Sequence, residues 1–425
     1  MSGSDRRIVI TGLGAVTPLG TGNDTVWQAL AAGKSGIMPI ESFLSDETTT
    51  RIAGEVRDFD PKKFVKQRKS LKVMARDIQL AVGAAHLAVT DSTIDPEKVD
   101  PLRFGVCFGA SMIASDLDEL GMPVSESING SRRFDLKKWG VEGMEQLFPL
   151  WMLKYLPNMP ACHVSIFYDA QGPNNSITAG EASSTLAMGE AFRVIERDSA
   201  DVMITGGTDS KINPLAIVRL ALLDRLTHRG DDPAKASRPF DAGHDGLVPG
   251  EGSASLVFEE LEHAKARGAT IYGEVTGFGV SCLPKKHGTA ITSAVKRALA
   301  DAGIEASDLG HVIPTGTSCR DEDRLESFAL AEILGDSAKD VPVVAYKSYT
   351  GQIGAGSGSV ELLASLLGHK HGVLPATLNY ERPDPEAAEL KVLREPVDFP
   401  NKPLLTYDLS HSGQCGALVI NPFQG

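Results

Sequence analysis

Long apolar runs are missing from this chain of 425 residues. Nothing approaches the ~18 uninterrupted apolar residues of a membrane-crossing helix. Cysteine is scarce as well: Cys107, Cys162, Cys282, Cys319 and Cys415 are an odd number, and no two form a CxxC pair. That argues against a disulfide framework or a structural zinc site and for a reducing, cytoplasmic setting. The one HxH, His369 and His371, reads as helix-end histidines, so no metal site is expected. Nor is there a basic excess. Lys and Arg total 42 against 55 Asp and Glu, a net charge of −13, which disfavours nucleic acid or an anionic membrane as the main partner. A low-complexity linker and short repeats are also lacking. The opening "MSGSDRRIVITGLGAV" carries a basic pair, but Gly and Thr interrupt its apolar stretch, so it reads as a first strand and not as a signal peptide.

What is present points to α/β layers. Hydrophobic residues make up 42% of the chain, enough for a sizeable core. Short β-branched or apolar runs recur at 7–14, 103–109, 201–207, 254–259, 341–348 and 417–420, most ending in Gly or Ser. Runs without strict alternation predict strands buried on both faces of a mainly parallel sheet. Helical patterns lie between them; "AITSAVKRALADAG" places Ile291, Val295, Ala298 and Leu299 on one face and stops at Gly303. The stretch "NNSITAGEASSTLAMG" is different. After Glu181 it carries no charge for two turns, which predicts a buried helix entered through a strand–turn–helix elbow with Glu181 at its apex. The passage from "ELEHAKARG" to "TIYGEVTGFG" is the best boundary between halves, giving 1–262 and 263–425. Residues 121–140 read as a surface excursion.

Several blocks occur in a telling order: "RRIVITGLGAVTPLG", "GPNNSITAGEAS", "DVMITGGTDS", "RPFDAGHDGLVPGEGSASLVFEELEHAKARGATIYGEV", "PTGTSCRDEDRLE" and "YKSYTGQIGAGSG". Together they resemble the β-ketoacyl-acyl-carrier-protein synthases, the condensing enzymes of fatty-acid and polyketide synthesis, over nearly the whole chain. The resemblance implies a thiolase-type fold, two similar α-β-α-β-α layered halves, a dimer and an acyl carrier protein as partner, with no cofactor. An active member uses a Cys at the elbow to take the acyl chain and two His to stabilise charge as malonyl decarboxylates. Here Glu181 stands for the Cys, Thr315 for the first His and Gln352 for the second. Lys347, Asp323 and Glu326 keep their motif positions, and "SHSG" fills the glycine-rich gating loop, with His411 where a Phe is usual.

Three losses in an intact scaffold narrow the resemblance to the chain length factor, or ketosynthase β subunit, of type II polyketide systems. Such subunits usually carry Gln at the elbow, so Glu181 is a departure. The expected role is a non-catalytic partner of an active ketosynthase that shapes the tunnel setting polyketide or polyene chain length. The rivals are a malonyl-carrier-protein decarboxylase that primes synthesis and a homodimeric acyl-binding scaffold. For Glu181 two arrangements are open: a plug paired with Lys347 or bonded to Gln352, or one oxygen seated in the former oxyanion hole. A chemical role or ligand recognition is the third possibility.

Other residues carry double readings. Met112, Ile113, Met188 and Phe192 are tunnel and interface candidates or ordinary core. The basic strip Lys62, Lys63, Lys66, Arg68 and Lys69, continued by Lys72 and Arg76, is a carrier-protein docking candidate or a solvated helix face. His163 reads as a structural hydrogen-bonding histidine, and His411 as a plug or gating residue.

Overall fold

A computed structural model gives the fold and describes residues 6–42, 50–65 and 67–423. Its frame is a mixed sheet. In chain order the strands are β1 (Ile8–Thr17), β2 (Phe104–Ala110), β3 (Asn174–Ile177), β4 (Val202–Ser210), β5 (Glu251–Glu260), β6 (Gly273–Cys282), β7 (His311–Ile313), β8 (Pro342–Val343), β9 (Lys391–Val392), β10 (Leu404–Leu409) and β11 (Gln414–Asn421). The first half runs β3-β2-β4-β5-β1 and the second β9-β8-β7-β10-β11-β6. Within each half the outer pairs are parallel (β3/β2 and β2/β4; β8/β7 and β7/β10). The inner pairs are antiparallel (β4/β5 and β5/β1; β10/β11 and β11/β6). The same order and sense therefore occur twice, and an antiparallel β1/β6 contact at Ile8–Ile10 joins the two.

The expectation of a mainly parallel sheet is corrected by these antiparallel pairs. Apolar runs buried on both faces look alike in either sense, so the run itself does not encode direction. All ten residues of β1 and all nine of β4 are buried. The run at 341–348 yields only the two-residue β8 before a short helix takes over at Lys347.

Helices form three layers. Outer helix α1 (Arg76–Asp91) covers β1 and β5, and outer helix α3 (His287–Ala302) covers β6 and β11. The α3 helix ends at Gly303 in the left-handed conformation (φ 67°), where glycine costs least. Between the two halves of the sheet lie α2 (Ser183–Glu196) and α4 (Ser357–His371); every residue of α4 from Ser357 to Gly368 is buried. These two helices are small-residue-rich where they meet, and Ser359 N donates to Ser184 Oγ at 3.2 Å. The excursion at 121–140 holds the helix Leu117–Glu126 and leaves Met122, Phe134 and Leu136 exposed. Among the described residues no helix is long and apolar enough to cross a membrane.

Close packing of the central layer gives one test. A Cβ on Gly358 would overlap both Asp408 Oδ2 and Thr185 Oγ1. Those two atoms are themselves hydrogen-bonded at 2.6 Å and buried. In an open helix Gly→Ala gains about 1 kcal/mol; here overpacking opposes it at about 1–3 kcal/mol. Gly358→Ala is therefore expected to lower the urea-unfolding free energy, and an increase would show that the central layer is looser than its geometry.

Candidate functional site

Strand β3 ends at Ile177 and the chain turns sharply into α2. Gly180 takes φ 60° at the turn, the conformation that a side chain would strain. Ser183 Oγ accepts from Ala179 N (2.9 Å) and donates to Gly180 O (2.6 Å), which closes the elbow. Glu181 projects from it with its side chain 16% exposed. One oxygen, Oε1, accepts from Arg225 Nη1 at 3.1 Å; the other, Oε2, accepts from the His411 backbone N–H at 3.2 Å. Burial pushes this carboxyl up, but the Arg225 guanidinium, its own N–H, Lys211 and the His411 N–H outweigh that, and its pKa lies below the ordinary value. Glu181 is a held anion at neutral pH.

Lys347 and Gln352, the partners considered from sequence, are engaged elsewhere. Lys347 Nζ stands 2.5 Å from Glu361 Oε1 and 3.5 Å from Asp408 Oδ1, wholly buried. One lysine faces two carboxylates there, and burial raises Glu361 to about 8. Gln352 Oε1 accepts from Ser357 Oγ (2.7 Å) and Gly354 N (3.2 Å). The residue that sequence reasoning missed is Arg225. Its guanidinium bridges Glu181 and Glu322, the latter at 3.0 Å, with the side chain 9% exposed. The available signal was a lone arginine inside the apolar segment "LALLDRL".

Thr315 lies on the loop after β7. Its Oγ1 accepts from Leu409 N at 3.1 Å, and Glu326 accepts from Thr315 N (2.7 Å) and Gly316 N (2.8 Å). Burial, then the nearby Asp323 charge, lifts Glu326 to about 7. Thr315, Glu326, Arg225 and His411 border a cavity of about 230 Å³. A second cavity of about 190 Å³ is bordered by Glu181, Lys211, Arg225, His411 and Met112. The His411 ring is largely exposed and lies 6.5 Å from the His287 ring, so its backbone, not its imidazole, meets Glu181. No thiol borders either cavity among the described residues, and the neutral donors at the histidine positions are a hydroxyl and an amide.

Of the four tunnel candidates only Met112 borders a cavity described here. Ile113 is buried in the core beside α1, while Met188 and Phe192 are buried in the core between the sheets. The basic strip is not a helix face. Lys62 and Lys63 sit on one 3-10 turn, Arg68 and Lys69 on another, all exposed, because Pro61 and backbone caps favour short turns there. Lys66 lies outside the described residues. His163 is buried, with its ring 6.2 Å from Phe167, and Nε2 has no hydrogen-bond partner among the described residues. That corrects its reading as a hydrogen-bonding histidine. His371 stacks on Trp27 at 4.5 Å, while His369 Nδ1 lies 3.3 Å from Tyr272 O. No group of three or more His, Cys, Asp or Glu side chains is placed to hold a metal among the described residues.

The loop carrying Thr315 is braced by a buried histidine. His244 Nδ1 lies 3.1 Å from Asp323 Oδ2 and Nε2 lies 3.1 Å from Asp384 Oδ2. Asp323 in turn accepts from Thr317 N and Ser318 N. Both ring nitrogens face carboxylates that only accept, so the ring carries two N–H groups and a charge. Burial lowers its pKa, but the two aspartates raise it above the usual 6.5. The clamp therefore stabilises the fold fully below about pH 6.5, and that contribution is lost as pH rises through the raised value. His244→Gln is expected to remove this part of the pH slope in urea-unfolding series; an unchanged slope would place the titration elsewhere.

Comparison with known proteins fits this geometry. The family described as β-ketoacyl synthase, N-terminal domain, matches residues 5–264, and its C-terminal domain matches residues 272–381. A 3-oxoacyl-acyl-carrier-protein synthase 2 of Coxiella burnetii is 37% identical over 423 residues, covering 98% of each chain. A β-ketoacyl synthase structure from Burkholderia phymatum superposes with TM-score 0.87 at 30% identity, covering 99% of this chain and 100% of that one. The ishigamide ketosynthase/chain length factor structure superposes with TM-score 0.85 at 26% identity, with the same coverage. The layered sheets are a thiolase-type ketosynthase fold, and the chain belongs to the β-ketoacyl synthase family.

Proposed function

We propose that this chain is a ketosynthase-like subunit that does not condense, and that it pairs with an active ketosynthase as a chain length factor. The observation that carries the reading is Glu181, an anion held by Arg225 and by the His411 N–H at the position the resemblance gives to the nucleophile. Condensation there needs a thiolate to carry the acyl chain and donors that stabilise the enolate. A carboxylate tied at both oxygens supplies neither. Thr315 and Gln352 are neutral, weaker donors than a charged imidazole, and their oxygens already accept from Leu409 N and Ser357 Oγ. The Coxiella relative is named as a synthase, so the departure rests on these three positions and not on the fold. Likeness to a ketosynthase/chain length factor structure supports the pairing.

In this reading the halves 1–262 and 263–425 form one subunit whose partner holds the reacting Cys and His. Met112, 57% exposed beside the 190 Å³ cavity, is the residue placed to limit chain length. Lys62, Lys63, Arg68 and Lys69 are exposed cations on an acidic protein and offer a docking strip for an acidic acyl carrier protein. A second reading, malonyl decarboxylation, draws on one observation: Gln352 Nε2 is buried without a hydrogen-bond partner among the described residues and is a spare donor. The anionic Glu181 opposes it, since a malonyl carboxylate would meet a like charge.

Three outcomes check the proposal. Co-expressed with a ketosynthase that keeps Cys and both His, the chain should co-purify as a heterodimer, and Met112→Trp should shorten the product without lowering partner acylation. A chain that stays homodimeric beside every such ketosynthase contradicts the pairing. Glu181→Cys alone should restore no condensation; a fully active homodimer from that single change would show that Thr315 and Gln352 are not disabling.

A further inference from the structure

A larger cavity, of about 580 Å³, lies beside outer helix α1, and none of its lining residues borders the two cavities at the elbow. Its floor is apolar: Val82 and Val89 of α1, with Ile94 and Val99, belong to the core beneath. Helix α1 runs along it. At one end His86 meets Phe64, edge to face at 5.7 Å. At the other the last turn leads through Thr90 and Thr93 to Asp95 and Glu97. The helix Met159–Tyr168 adds Phe167, Tyr168 and Asp169. The Gln171 N–H donates to Pro101 O at 2.8 Å, which draws Asp169 to the Asp95–Glu97 end. That end is negative throughout. Asp95, Glu97 and Asp169 border it, and no Lys or Arg does among the described residues. Both helices also end there, and a helix C-terminus carries partial negative charge. Asp95 is answered by Lys98 at 3.0 Å, and Asp169 Oδ1 accepts from Gln171 Nε2 at 2.9 Å. Glu97 engages only its backbone N–H, so its carboxylate has no partner among the described residues. The Tyr168 hydroxyl stays neutral, because burial alone raises its pKa.

We propose that this cavity is a binding site for an organic ammonium ion with an aromatic or apolar body. The body covers the valine floor and meets the Phe64 and Phe167 rings, whose faces also attract cations. The ammonium group goes to the acidic end, where Glu97 pairs with it and the Tyr168 hydroxyl accepts one of its N–H groups. Lys62 and Lys63 stand on the turn before Phe64, so the charge is directed away from that end. An anion would meet three carboxylates and two helix C-termini. A neutral ligand would bury the floor and leave Glu97 unanswered. The site is remote from the elbow, so the inference is independent of pairing with a ketosynthase.

The test is calorimetry on the full-length chain at neutral pH with probes of one shape: 2-phenylethylamine, which is a cation, neutral 2-phenylethanol and anionic phenylacetate. The amine should bind saturably and at least about tenfold tighter than the alcohol, the size of a charge-assisted hydrogen bond, with phenylacetate weakest. Glu97 is exposed, so Glu97→Gln should fold normally. It should bring amine and alcohol within about threefold of each other and leave the alcohol unchanged. Thr90 is exposed too, and Thr90→Trp places a bulky ring over the cavity; it should weaken both probes. An amine that binds no tighter than the alcohol overturns the proposal, as does a preference that survives Glu97→Gln. Amine binding untouched by Thr90→Trp, or no saturable amine binding, overturns it equally.

Discussion

The site is organised by one carboxylate. Glu181 has two oxygens and gives one to the Arg225 guanidinium and one to the His411 N–H. That double engagement joins the loop of His411 to the segment of Arg225. The anion persists although burial penalises it, because two cations and two backbone N–H groups converge on it. Breaking such a buried pair from one side costs about 3–5 kcal/mol, so the arrangement is self-locking: neither partner leaves without stranding the other. A group held this firmly cannot also act as a mobile nucleophile.

The scaffold makes this possible. The repeated strand order sets α2 and α4 back to back, and the start of α2 carries the elbow. The second half brings Thr315, Lys347 with Gln352, and His411 around it from three separate segments. Lys347 has kept its motif position but serves a buried cluster with Glu361 and Asp408, which also anchors Thr185 of α2. That cluster supports the elbow from behind. His244, between Asp323 and Asp384, supports the loop of Thr315 in the same way. The charges invested around the site thus hold geometry, which fits a subunit whose contribution is shape.

Much of this was legible in the sequence, and the gaps have physical causes. The elbow and its buried helix follow from local text: a strand, a glycine, then two uncharged turns. The positions of Thr315 and Gln352 follow from the motif order that carries the resemblance. Arg225 did not follow, because a pair separated by 44 residues leaves no periodic trace. Glu361, a lone acid in "SGSVELLASLLG", was a visible cue that a buried cation must answer it, and Lys347 is that cation. Strand direction is not legible, because burial on both faces looks the same in parallel and antiparallel pairs. Of the two readings of the basic strip, the helix face fails because Pro61 and the Asp60 cap shape its first segment as a short turn.

The central claim is that this chain never carries the acyl group. Intact-mass spectrometry of the chain co-expressed with a ketosynthase that keeps Cys and both His, after incubation with malonyl- and acyl-loaded carrier protein, tests it directly. Acyl adducts are expected on the ketosynthase alone, with this chain at its unmodified mass throughout. An acyl adduct on this chain, mapped to Glu181 or to any residue of the elbow, would contradict it.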